Sequence, residues 1–302
     1  MPEQVLIAEK AIATLSVPGF VDFLATEGRN VWATNTDRVE KFTADSGTPV
    51  ATVAVPSPCG GMVCAFGALW VAGCKDKSVY RIDLASNSVT ARIPTGLADP
   101  TGELSLAAGA GAIWVLSAAG GVLSRIDPGT NAVVAEIPVL PHSYCADFAF
   151  DAVWITNSGA DGVSTGSVQR IDPKTNRVAG TVQTGPGPRF LAAGEGAVWT
   201  LNWGDGSVSK IDPDSNRLAA TIHLGMEGGG GDIATGGGKV WVRGTAVLLA
   251  SIDPVTNAVL DIYGPPEGSG AVRVAKDLIW VTAHDTKTVW VLQVDGSAAQ
   301  QR

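Results

Sequence analysis

The stretch RFLAAGEGAVWTLNWGDGSVSKIDPDSNRLAATIHLG, residues 189–225, holds four short apolar or alternating runs. They are parted by Gly194-Glu195-Gly196, Gly204-Asp205-Gly206 and Asp212-Pro213-Asp214-Ser215-Asn216. Runs of this kind between such turn formers predict a four-stranded antiparallel meander. The third turn returns as IDLASN from Ile82, IDPGTN from Ile126, IDPKTN from Ile171 and IDPVTN from Ile252. Proline presets the turn's first central φ, and Asp and Asn bond nearby backbone and tolerate unusual dihedrals, so the motif speaks for geometry and not for catalysis. An apolar residue followed by tryptophan marks the second run. The pair occurs at Trp32, Trp70, Trp114, Trp154, Trp199, Trp241 and Trp280, at intervals of 38, 44, 40, 45, 42 and 39 residues. A unit of about forty residues cannot bury its own faces and must pack against copies of itself. The expected fold is all-β: a single domain over residues 1–302, a seven-bladed β-propeller of four-stranded antiparallel blades.

The two ends of the chain suggest how the wheel closes. After Trp280 the last copy supplies its second and third runs, the latter from Val289 to Val294, and passes into the polar tail GSAAQQR, residues 296–302. Its fourth run is missing. At the other end, EKAIATLSVPG from Glu9 resembles a fourth run such as NRVAGTVQTG from Asn176. Residues 1–19 should therefore provide a closing strand and link for the seventh blade, pairing edges that would otherwise lie open.

Composition narrows the partners. Hydrophobic residues are 45% and charged residues 17%, with 37 glycines and 17 prolines, which suits a turn-dense β protein with an ample core. A net charge of -8 with no local basic run argues against nucleic acid. No stretch approaches the roughly 20 apolar residues that span a bilayer. The amino terminus MPEQVLIAEK lacks the basic start and apolar run of an export signal. A monomer without membrane insertion is expected, taking a small-molecule or peptide ligand.

The seven tryptophans should fill the wedges between blades. Trp290 falls in a third strand and should also be core, whereas Trp203 lies in a turn and is a candidate for ligand contact. In a propeller the links between blades and the loops joining second to third strands open on one face. Ten residues before each repeat tryptophan come Asp22, Gly60, Leu104, Tyr144, Arg189, Gly231 and Gly270, followed by Phe23, Gly61, Ser105, Cys145, Phe190, Asp232 and Ala271. These two rings should surround the channel mouth, and their unevenness marks Asp22, Phe23, Tyr144, Arg189, Phe190 and Asp232 as substrate-binding candidates, with Trp203 joining them from a second-third loop. The links add Glu103, His142, Glu227 and Glu267, and a second-third loop adds His284. Two imidazoles with carboxylates suit a divalent metal such as magnesium, or proton transfer, so these five are the catalytic candidates. Loop capping and plain solvation are the alternative for each. Blades four and seven are not neighbours, so His142 and His284 can meet only through long loops or a narrow channel.

Two loops depart from the repeat: GADGVSTGS from Gly159, and the glycine-rich link Gly225-Met226-Glu227-Gly228-Gly229-Gly230-Gly231-Asp232, which suits a flexible rim or tight turn better than a phosphate loop. Cys59 and Cys74 fall on the same face in the propeller register, and an oxidising compartment would allow a disulfide between them. Cys64 suits a buried first-strand position. Cys145 is either a packed thiol or a nucleophile beside the channel.

The unit with VW, then RIDPKTN, then a TVQTGPGP link resembles the YncE-type seven-bladed propellers and, more distantly, the streptogramin (virginiamycin B) lyase group. The resemblance covers nearly the whole chain and implies a periplasmic or extracellular home if the amino terminus is trimmed. In the lyase group a magnesium ion and clustered His and Glu open a lactone by elimination, with a Glu and a His two residues apart on one strand. No Glu-x-His occurs here, so that ligand set does not transfer to positions of this chain. Three functions stay open: a lyase or hydrolase of an ester or lactone at the channel mouth, a non-catalytic propeller binding a peptide, sugar or protein, and a scaffold.

Overall fold

The computed structural model describes residues 2–96, 106–226 and 228–294. Seven antiparallel sheets stand radially, each a meander in which successive strands pair. The blade from the quoted stretch comprises Pro188–Gly194, Ala197–Asn202, Ser207–Asp212 and Arg217–His223. First strands of successive blades pack side by side, and the last meets the first, so the ring is closed.

The repeat tryptophans lie on the second strands and are fully buried. A buried indole N–H needs an acceptor. Those of Trp70, Trp114, Trp154, Trp199 and Trp241 donate to the carbonyl five residues earlier, at 3.0–3.1 Å. Trp32 uses the Glu27 carboxylate at 2.7 Å, and Trp280 the Arg29 carbonyl at 3.3 Å.

The IDPxTN turn has a second use beyond its own backbone. A basic residue precedes it in four blades, and each lies over its own tryptophan: Arg81 on Trp70, Arg125 on Trp114, Arg170 on Trp154 and Lys210 on Trp199. Each then reaches the turn of the following blade. Arg125 Nη1 donates to the Pro173 carbonyl at 2.9 Å and the Asn176 side-chain oxygen at 3.0 Å, and Arg81 does the same at Pro128 and Asn131. The turn's Asn thus accepts the previous blade's cation while its backbone sits at positive φ, 56° at Asn131 and 54° at Asn176. Arg125→Ala removes three charge-assisted bonds, the third from Nη2 to the Ala110 carbonyl at 3.2 Å, and a cation–π contact at a half-buried site. A loss of about 1–2 kcal/mol is expected, seen as a fall of a few degrees in melting temperature. An unchanged melt would show that this clamp is idle.

Closure follows the expected route, since Ala11–Ser16 pairs antiparallel with Thr288–Gln293, setting Ala11 opposite Leu292 and Ser16 opposite Thr288. The segment before it does more than the sequence suggested. Gln4–Leu6 adds a parallel fifth strand to the sixth blade, opposite Ile262–Gly264, and a single turn, Ile7–Lys10, carries the chain across to the seventh. The amino terminus therefore ties two adjacent blades together.

Candidate functional site

The strand register sets which residues reach the mouth. Two positions after its tryptophan, a threonine hydroxyl accepts from the backbone where the first strand begins: Thr34 from Phe23 N at 3.0 Å, Thr156 from Cys145 N at 2.9 Å, Thr282 from Ala271 N at 2.7 Å. Thr156 and Thr282 also donate to the next blade, at the Arg189 and Asp22 carbonyls. Held this way, Phe23 of the first blade and Phe190 of the fifth meet across the axis, ring centroids 6.3 Å apart and both buried. Tyr144 packs edge-on against Phe190 at 5.6 Å, and Trp203 lies tilted against the same Phe190 ring at 6.2 Å. This aromatic cluster floors the mouth. First-strand residues beyond it line a separate channel cavity of about 280 Å³.

Above the cluster lies a cavity of about 830 Å³, lined by Phe20, Asp22, Phe23, Asn35, Trp203 and His284 among others. Cys59 and Cys74 form part of its wall and are joined, with Cα atoms 5.8 Å apart. The His284 ring stacks on Phe20 at 4.2 Å, and its Nδ1 lies 3.0 Å from an Asp285 carboxylate oxygen. Burial pulls the imidazole below its ordinary pKa, the Asp285 charge opposes this, and the Arg243 cation adds to the depression. His284 is consequently neutral near pH 7. Trp203 differs from the seven repeat tryptophans, because its buried indole N–H finds no acceptor among the described residues.

His142 opens onto another cavity, of about 410 Å³, together with Ser143, Tyr144, Ser158, Asp161 and Arg189. The two histidines are thus on one face but in different cavities. Asp22 is half-buried in the mouth wall. Asp232 is buried: its carboxylate takes the Arg273 guanidinium and the backbone N–H groups of Ile233 and Val272, joining the sixth blade to the seventh. Glu267 gives its carbonyl to Arg243. Glu103 and Glu227 lie outside the described residues. Among the described residues no three His, Cys, Asp or Glu side chains gather closely enough to hold a metal ion.

The glycine link before Asp232 runs close to its neighbours. A Cβ at Gly228 would strike the Trp203 carbonyl, and Gly231, at φ +127°, lies against the Arg243 carbonyl. Four charged residues near the site escaped sequence reasoning. Arg243 is wholly buried in a second strand, at the register other blades give to Thr, Ala or Leu, and a lone charge there was the available signal. Asp147 and Arg273 line the channel. Burial raises the Asp147 carboxyl above its ordinary value, against the Ala193 and Phe148 N–H groups and the Arg273 charge. The fourth is Asp285, beside His284.

No family model and no curated protein matches the chain. Solved structures do. Hydrazine synthase of Kuenenia stuttgartiensis superposes with a TM-score of 0.77 at 14% identity, over 92% of this chain and 97% of that one. Virginiamycin B lyase from Staphylococcus aureus gives 0.73 at 14%, over 93% and 98%. BamB from Moraxella catarrhalis gives 0.63 at 14%, over 91% and 84%. At such identity the likeness is one of fold, and it places the chain among the β-propellers.

Proposed function

We propose that the mouth cavity binds a small organic molecule carrying both apolar and hydrogen-bonding groups. One observation carries this: a cavity of about 830 Å³ sets the faces of Phe20, Phe23 and Trp203 beside Asp22, Asn35 and His284. Concave sites of this size with an apolar wall and a few convergent polar groups are where small ligands bind. Titration calorimetry with a panel of lactones, esters and short peptides, including virginiamycin B, tests it. Trp203→Ala is expected to weaken the binding ligand by about tenfold or more, as loss of a central aromatic does. If no member binds, or Trp203→Ala binds equally well, the cavity is not the site.

A lyase or hydrolase acting on an ester or lactone is the stricter form of this proposal, and His284 favours it. A neutral imidazole beside a carboxylate can take a proton from bound substrate or water. His142, in its separate cavity, would have no part in that step. Turnover should vanish in His284→Ala while ligand binding persists. A base must be unprotonated, and the lowered pKa keeps His284 so below its ordinary 6.5, so the acid limb of the rate profile should fall below pH 6.5. Equal turnover in wild type and His284→Ala would leave binding alone.

A further inference from the structure

The cavity of about 410 Å³ beside the mouth holds a guanidinium in an unusual setting. Arg189 lies between two aromatic rings, 4.7 Å from the Tyr144 centroid and 4.3 Å from that of Trp203. Aromatic rings satisfy the weakly hydrated faces of such an ion but none of its in-plane N–H donors. Among the described residues no carboxylate pairs with Arg189 and no acceptor takes its Nε–H. Elsewhere in this protein partly buried arginines over tryptophan, such as Arg81 and Arg125, spend their donors on a carbonyl and an Asn oxygen. Arg189 is the exception, and the long loop of the fourth blade folds around it. Gly162 of that loop comes so close, at φ +73°, that a Cβ would lie 3.0 Å from an Arg189 terminal nitrogen. The carboxylate that this loop brings to the cavity, Asp161, is committed to its own turn. It is held down at about 2 by the Ser164 side chain and then by the backbone N–H groups of Val163 and Ser164, from which it accepts.

We propose that this cavity is a carboxylate-binding site, with the edge of Arg189 as the bidentate donor and Tyr144 and Trp203 as the clamp that fixes its plane. A planar fork matches a planar carboxylate through two parallel N–H···O bonds. The exposed His142 and the Ser143 hydroxyl line the same cavity and bear on whatever the carboxylate is attached to. The cavity is separate from the mouth cavity, although Trp203 borders the mouth and also lies over Arg189, so Arg189 is the residue to vary, with Trp203 left in place. A free organic acid and the carboxyl terminus of a peptide offer the same group.

Titration calorimetry of the full chain distinguishes these sources with three probes: succinate, a hexapeptide with a free carboxyl terminus, and the same peptide amidated. Binding of succinate supports a small-acid site, and binding of the free-terminus peptide but not its amide supports a peptide-end site. For whichever probe binds, Arg189→Gln should cost about 10- to 100-fold in affinity, as loss of a charge-assisted pair does. Arg189→Lys, which keeps the charge and loses the fork, should fall between. Should Arg189→Gln fail to fold, the comparison of free and amidated peptide on wild type and the Lys variant still decide. Equal affinity for the amide, equal affinity of Arg189→Lys and wild type, or no binding of either carboxylate would each overturn the proposal.

Discussion

A chain lacking residues 1–18 is expected to lose most of its stability. The deletion exposes the strand Thr288–Gln293 along one edge and strips Ile7, Leu15 and Val17, all buried, from the sixth and seventh blades. Burying such side chains contributes about 1.5–3 kcal/mol each, so the apolar term alone is about 5–9 kcal/mol. That is most of the roughly 5–15 kcal/mol that holds a native protein together. A melting temperature lower by roughly 10–30 °C, or the loss of a cooperative transition, should appear in calorimetry. A permutant separates closure from mere truncation. Because Ala11 pairs with Leu292, the end of the third strand lies beside the start of the closing one, and a short hairpin can join them. Moving residues 11–18 behind Val294 on such a linker should restore to the truncated chain the part of the melt that the closing strand, with Leu15 and Val17, contributes. A truncated chain that melts like wild type would refute closure by the amino terminus.

The wheel was legible in the sequence because each blade repeats the same local chemistry. An apolar-Trp pair, a glycine turn and an IDPxTN turn report strand, register and hairpin through interactions that stay within about forty residues. The closing strand was legible for the same reason, by its likeness to other fourth strands. What escaped depends on contacts between blades. Gln4–Leu6 gains its place by parallel pairing with residues some 250 positions away in sequence, as Gln4 opposite Ile262 shows, and three residues carry too little pattern to announce that. The ring positions do not share one role: Asp22, Phe23 and Gly60 line the mouth cavity, whereas Gly61 and Cys145 line the channel cavity. In the sequence Asp232 and Arg189 are equal candidates for binding a ligand. The structure gives Asp232 a guanidinium from the neighbouring blade, and Arg189 two aromatic faces with no acid among the described residues. Only the fold decides which charge is already spent. The same holds for the histidines: position put both on one face, and side-chain packing put His284 against Phe20 and left His142 in a cavity of its own.

Arg243 provides the other large expected effect. It is buried completely, and its three nitrogens donate to the carbonyls of Thr282 at 3.1 Å, Gly268 at 3.1 Å and Glu267 at 3.1 Å, as well as to Gly244. In blades one, four and seven a threonine at this register binds the entry of its own first strand, and in two of them it also reaches the next blade. In blade six a guanidinium instead spans to the loop and strand of blade seven. Burial lowers its pKa to about 10, against the charges of Asp22, Asp285, Glu267 and Asp232, so it remains a cation at neutral pH. Arg243→Met keeps the volume and leaves four carbonyls without their donor. Breaking a buried charged network in this way costs about 3–5 kcal/mol, and the melt should fall accordingly. Arg243→Lys should recover only part of this, since one ammonium cannot cover a fork of acceptors. The same substitution has an electrostatic signature that a packing defect would not produce. Removing the Arg243 cation removes a like charge that depresses His284, so the His284 pKa must rise in Arg243→Met. With three histidines in the chain, the imidazole signals can be followed one by one in an NMR titration. A melt within a degree or two of wild type, or an unmoved His284 titration, would show that Arg243 neither braces the seventh blade nor sets the charge of the mouth.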